Sequence, residues 1–196
     1  MSIERLGIMG SGLMGLGIAQ AAAAKGFAVL IFEINPSAGK AEHTPQDSEA
    51  LLDQLTITAD LDAMSECDLV VECGREDLTT KVALLRQAES HMTPGAVLAT
   101  STASLPLLQL SEHLDRPEQF LGLHFLNPSN NTRIVEIGVS EGTAPGAILA
   151  VRAFCKKLGR TPVEVPASSG YMVSATIQTS KGGRPSRSVS EPAPSE

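Results

Sequence analysis

Apolar residues in this chain fall into short continuous runs separated by helical stretches. Arg5 to Met9 is a brief aliphatic run closed by Gly10, and Leu13 to Lys25 reads as an alanine-rich helix stopped by Gly26. Ala28 to Phe32 (AVLIF), Asp68 to Glu72 (DLVVE) and Ala96 to Thr100 (AVLAT) are continuous rather than alternating, the mark of strands covered on both faces. Between the last two, Leu78, Val82, Leu85 and Ala88 recur at helical spacing within Leu78 to His91. Phe120 to Phe125 and Arg133 to Gly138 predict two more strands, joined through the turn-forming Asn127 to Asn131. A helix over Ala147 to Leu158, stopped by Gly159, leads into a last strand at Thr161 to Val165. Strands alternating with helices predict an α/β fold, a Rossmann-type doubly wound, mostly parallel sheet with helices on both faces.

The pattern fails in two places. Residues 36–50 are polar and weakly periodic, which predicts a loose connection. From about 176 onward the chain is serine, proline, glycine and charge, which predicts a disordered tail behind a domain of residues 1–175. A length of 196 residues suits one such domain.

Charge narrows the partners. A net charge of −7 argues against nucleic acid, which needs a basic face, and no Lys/Arg run suits an anionic membrane. Cys67, Cys73 and Cys155 form no disulfide framework and no CxxC pair, so no metal is expected and a reducing, cytoplasmic setting is. The uncharged stretch Leu6 to Ala24 has the look of a secretory signal, but its regular glycines and the strand that follows favour a domain core.

Those glycines carry the first chemistry. Gly10-Ser-Gly-Leu-Met-Gly15 fits GxGxxG, follows a predicted strand, opens a predicted helix, and is followed by Glu33 at the end of the next strand. Gly10 suits the tight turn, Gly12 the close approach of backbone to a pyrophosphate, and Gly15 the contact of helix with strand. The helix start at Leu13 and Met14 offers N–H groups and a partial positive charge to phosphates. Glu33 can accept hydrogen bonds from ribose hydroxyls and would repel a 2′-phosphate, so NAD is expected in preference to NADP. A glycine-rich turn without a ligand is the plainer alternative.

The second is His124, in Gly122-Leu-His-Phe-Leu-Asn-Pro128 at the end of a predicted buried strand. By itself a strand histidine is better explained by a core imidazole satisfied by backbone than by a proton carrier.

Taken together, GSGLMGLGIA, EINP at 33–36, DLVVE, ATSTASL at 99–105, RPEQFLGLHFLNP, RIVEI and KKLGRTPVEV resemble, in order and spacing, the NAD-binding domain of the 3-hydroxyacyl-CoA dehydrogenase family. The resemblance covers roughly residues 3–175. It implies reversible NAD-dependent oxidation of a 3-hydroxyacyl-CoA thioester to the 3-ketoacyl form, with His124 as general base and Glu136 orienting and supporting its imidazole. It also implies that Asn127 contacts the nicotinamide side of the cofactor and that Glu76 and Lys81 line its ribose. Otherwise Glu136 would be an edge-strand carboxylate paired with Arg133, and Glu76 and Lys81 a solvated pair. The chain departs from the family at three points. A serine that contacts substrate and cofactor falls on Ala103, an asparagine at the cofactor falls on Ser101, and a substrate-holding asparagine falls on Ser174. The family's helical second domain, which closes the cleft and forms the dimer, has no counterpart in the pattern. A catalytically impaired NAD(H)-binding module, acting as a homo-oligomer or with a partner that supplies those helices, is therefore the alternative expectation. A 3-hydroxyacid dehydrogenase of the GxGxMG type is a remoter one.

Overall fold

The computed structural model describes residues 1–33, 55–126 and 133–167. The expected loop at 36–50, the turn at Asn127 to Asn131, Ser174 and the tail lie outside the described residues.

Eight strands form one sheet in the order β3-β2-β1-β4-β5-β6-β7-β8. They are β1 Arg5–Met9, β2 Ala28–Phe32, β3 Leu55–Thr58, β4 Leu69–Glu72, β5 Val97–Thr100, β6 Phe120–Phe125, β7 Ile134–Val139 and β8 Thr161–Pro166. Neighbours from β3 through β6 pair in parallel, β6 with β7 antiparallel, and β7 with β8 in parallel. The expected fold class is therefore the observed one. Because strand order reverses between β1 and β4, the crevice beyond their carboxyl ends is the place where such sheets bind ligands.

Strand side chains alternate between two cores. One core contains Leu6, Ile8, Leu69, Val71, Leu121 and Leu123 with helix α1 (Leu13–Ala23) and helix α4 (Pro145–Lys157). The other contains Met9, Val70, Leu98 and Phe120 with helix α2 (Leu78–His91) and the short helix α3 (Leu107–Ser111). Both faces are covered, which is why the strands read as unbroken apolar runs.

Sequence patterning misses β3, α3 and a 3-10 turn over Leu61–Glu66. Each is only four to six residues long, and Leu55-Thr-Ile-Thr58 pairs along a single edge, to β2. So short a run has no period to detect. The helix predicted to Lys25 ends at Ala23, and Gly26 takes the positive φ of 80° that turns the chain into β2.

Candidate active site

The glycine loop lies at the crevice. Gly10 has φ 108°, a value L side chains rarely adopt, and its N–H donates to the Phe32 carbonyl at 3.1 Å. A Cβ on Gly15 would stand 2.1 Å from the Gly10 carbonyl oxygen, so this glycine is required by the packing of α1 against its own loop. Gly12 differs: a Cβ there would meet nothing within 4 Å. It caps α1 with extended backbone, and no side chain caps the helix start. Uncapped N–H groups facing open space are what a pyrophosphate requires.

Glu33 closes the loop from the β2 side. Its Oε2 accepts from the Ser11 hydroxyl at 2.7 Å and the Ser11 N–H at 3.3 Å. The carboxylate is thus anchored to the glycine loop itself.

Beyond β4, Glu76 gathers the turn that follows β5. Its Oε1 accepts from Thr102 Oγ1 at 2.6 Å, Ser104 Oγ at 2.9 Å, and the Ala103 and Ser104 N–H groups at 3.0 Å each. Partial burial pushes its pKa up. The hydrogen bonds from Thr102 and Ser104, the nearby Lys81 charge and the Ala103 N–H push it down and prevail, so it lies below the usual carboxylate value. Lys81 is fully buried, its Nζ 2.9 and 3.1 Å from the two oxygens of Glu72 and 3.6 Å from Glu76 Oε2. Lys81 is therefore not solvated, whereas Glu76 keeps one side in solvent. Ser101 donates its N–H to the Glu72 carbonyl and stands near the Cys73 thiol. Burial raises that thiol to about 12.

His124 and Glu136 face each other across the antiparallel β6–β7 ladder as a direct cross-strand pair. Nδ1 lies 3.1 Å from Glu136 Oε2. Because a carboxylate only accepts, Nδ1–H is the donor and this fixes the tautomer. Glu136 is fully buried, with β8 on the far side of β7, so it is not an edge carboxylate. His124 is 9% exposed and faces a place shared with the first turn of α1. That place is a cavity of about 250 Å³ whose walls include Leu13 and Met14 of α1, Phe125, Leu126 and Arg160. One cavity therefore touches both the first turn of the glycine-loop helix and the imidazole.

Sequence reasoning missed Glu72 and Arg160. A glutamate ending an otherwise apolar strand, nine residues before a lysine, was the available signal for Glu72. Arg160 follows the Gly159 turn in no motif. Asn127 lies outside the described residues. Among the described residues no group of three or more His, Cys, Asp or Glu could hold a metal ion, and no helix is long and apolar enough to cross a membrane.

The sequence model of the family described as "3-hydroxyacyl-CoA dehydrogenase, NAD binding domain" matches residues 5–168. A probable 3-hydroxybutyryl-CoA dehydrogenase of Bacillus subtilis is 29% identical over 188 residues, covering 88% of this chain and 66% of the relative. The fatty acid oxidation complex subunit alpha of Idiomarina loihiensis is 32% identical over 191 residues, covering 89% of this chain and 27% of that protein. The crystal structure of (S)-3-hydroxybutyryl-CoA dehydrogenase from Ralstonia eutropha superposes with a TM-score of 0.80 at 29% identity, over 90% of this chain and 68% of the other. The chain thus spans part of the length of each relative.

Proposed function

The chain belongs to the 3-hydroxyacyl-CoA dehydrogenase family through its NAD-binding domain, and from that premise we propose that it takes part in the reversible, NAD-dependent oxidation of a 3-hydroxyacyl-CoA thioester. The observation that carries this reading is the shared cavity, which brings the α1 helix start and the His124–Glu136 pair to one place.

The residues fit the cofactor. Gly10, Gly12 and Gly15 with the N–H groups of Leu13 and Met14 would hold the pyrophosphate, and Glu33 the adenosine ribose. Glu76, Lys81, Ser101 and Asn127 would serve the nicotinamide half. Bound NAD supplies the hydride acceptor. The protein's part is orientation and the proton. With Nδ1–H committed to Glu136, the imidazole presents Nε2 as the basic nitrogen toward the 3-hydroxyl proton. Glu136 stabilises the imidazolium that results and holds the ring in one tautomer. In the reverse direction the imidazolium returns that proton to the 3-keto oxygen.

One observation favours a weaker catalyst. At 103 stands an exposed alanine, and the neighbouring Ser104 hydroxyl is held by Glu76, so this turn offers the substrate no hydroxyl at 103. The second reading is accordingly an NAD(H)-binding module of low activity that relies on further helices, from a second copy or another chain, to close the site.

Titration with NADH by fluorescence, beside NADH oxidation with acetoacetyl-CoA on the same sample, separates the two. Binding with turnover supports the dehydrogenase, binding alone supports the module, and absence of binding refutes both.

A further inference from the structure

Glu72 is as fully enclosed as Glu136 and belongs to no motif of the glycine loop or the histidine pair. It ends β4, is fully buried, and has three kinds of donor. The Gly74 N–H reaches Oε1 at 2.5 Å, the Thr100 hydroxyl reaches Oε2 at 2.6 Å, and the Lys81 ammonium spans both oxygens. The ammonium also donates to the Gly74 carbonyl at 3.3 Å. Its distance to Glu76 Oε2, 3.6 Å, is longer than a hydrogen bond.

A fully buried ammonium requires an anion, and two are within reach. Glu76 is the more exposed of them, with a side chain 40% exposed, and it is also the acceptor for the Thr102 and Ser104 hydroxyls and the Ala103 and Ser104 N–H groups. The turn holds Oε1 of Glu76 and Lys81 faces Oε2, so the two demands compete once the whole carboxylate shifts toward the ammonium. A carboxylate drawn fully onto Lys81 would leave the Ala103 and Ser104 N–H groups.

We infer that Glu72 is a positioning residue: by holding Lys81 on both of its oxygens it leaves Glu76 to gather Thr102, Ala103 and Ser104, and so sets the turn that walls the cofactor crevice. The consequence for NADH rests on the function proposed above. The state of the turn does not.

The test is site-resolved amide hydrogen exchange on the full chain, with NADH titration beside it. In Glu72→Gln the amide keeps the shape but not the charge, and its NH₂ replaces one of the two oxygens that hold the Lys81 ammonium. Exchange at Ala103 and Ser104 should quicken about tenfold or more relative to amides in β6, and NADH should bind about tenfold more weakly, the loss that follows removal of a supporting partner. Adding Lys81→Met removes the cation that draws Glu76 away. The double variant should return exchange at both amides to within about threefold of the unmodified chain, and it should fold even where Glu72→Gln alone does not. Unchanged exchange at Ala103 and Ser104 in Glu72→Gln, acceleration spread evenly over β4 and β5, or a double variant that is unfolded or unrescued would each overturn the inference. Failure of the unmodified chain to bind NADH would refute the proposed function while leaving the exchange result to decide this one.

Discussion

Gly12 and Gly15 lie three residues apart on one turn and differ in what an added side chain would meet. At Gly12 it enters open space with backbone of φ −66° and ψ 176°, which any residue adopts. Gly12→Val should therefore unfold at nearly the unmodified temperature while NADH affinity falls by about a hundredfold, the side chain taking the room a pyrophosphate needs. At Gly15 the added methyl meets a carbonyl oxygen of the same loop. Gly15→Ala should cost about 2 kcal/mol of stability, from the backbone shift that overpacking forces, and lower the thermal midpoint. Parallel melting curves and NADH titrations check both. The carboxylate of Glu33 bears on a different choice. NADH should bind at least about tenfold more tightly than NADPH, because a 2′-phosphate would approach an anion that Ser11 holds in place. Equal affinities would remove Glu33 from the ribose site. At this scale the sequence was informative wherever a motif names a residue. Glu72 showed there only as an acid ending an apolar strand, and Arg160 stood in no motif, because their neighbours meet only after the sheet forms.

The elements were legible in proportion to their burial. The strands covered on both faces, β1, β2, β4, β5 and β6, show as apolar runs, whereas β3 pairs on one side and its Thr56 is exposed. The pairing of β6 with β7 matters most for the site. Pairing Leu123 with Ile137 places His124 opposite Glu136, and a slip of one residue would turn one of the two to the other face. The spacing of twelve between them was visible in the sequence, but only the antiparallel register makes it a contact. The turn held by Glu76 is an element-scale contact with a pH dependence. Because the pKa of Glu76 is lower in the folded chain than the ordinary 4.5, its hydrogen bonds add stability above that value and lose it as pH falls through the folded pKa. Exchange at the Ala103 and Ser104 amides, corrected for intrinsic pH effects, should thus lose protection as the pH falls below 4.5, and Glu76→Gln should show reduced protection already at neutral pH.

Over the whole molecule, the two cores sequester the thiols. Cys155 is on the buried face of α4 and Cys67 lies beside Met64, and burial raises them to about 12 and about 11, with Cys73 raised to about 12. A thiol reagent at pH 8 should react with the native chain far more slowly than with the urea-unfolded chain, since only thiolate attacks. Their folded values exceed the unfolded value of 9.0, so the stability they contribute is complete below pH 9 and declines as pH rises toward the folded values. The same architecture sets the central claim, because a single sheet carries the glycine loop on β1 and the imidazole on β6 to one cavity. The most direct test is the rate of NADH oxidation with acetoacetyl-CoA in the unmodified chain, Glu136→Gln and His124→Ala, with NADH affinity measured on each. Loss of a positioned general base should lower the rate about a hundredfold or more in His124→Ala, and loss of its supporting charge about tenfold in Glu136→Gln, with NADH affinity changed less than about threefold in both. Full activity in His124→Ala would contradict the proton relay, and an unmodified chain that binds NADH without turning over would leave the binding module in its place.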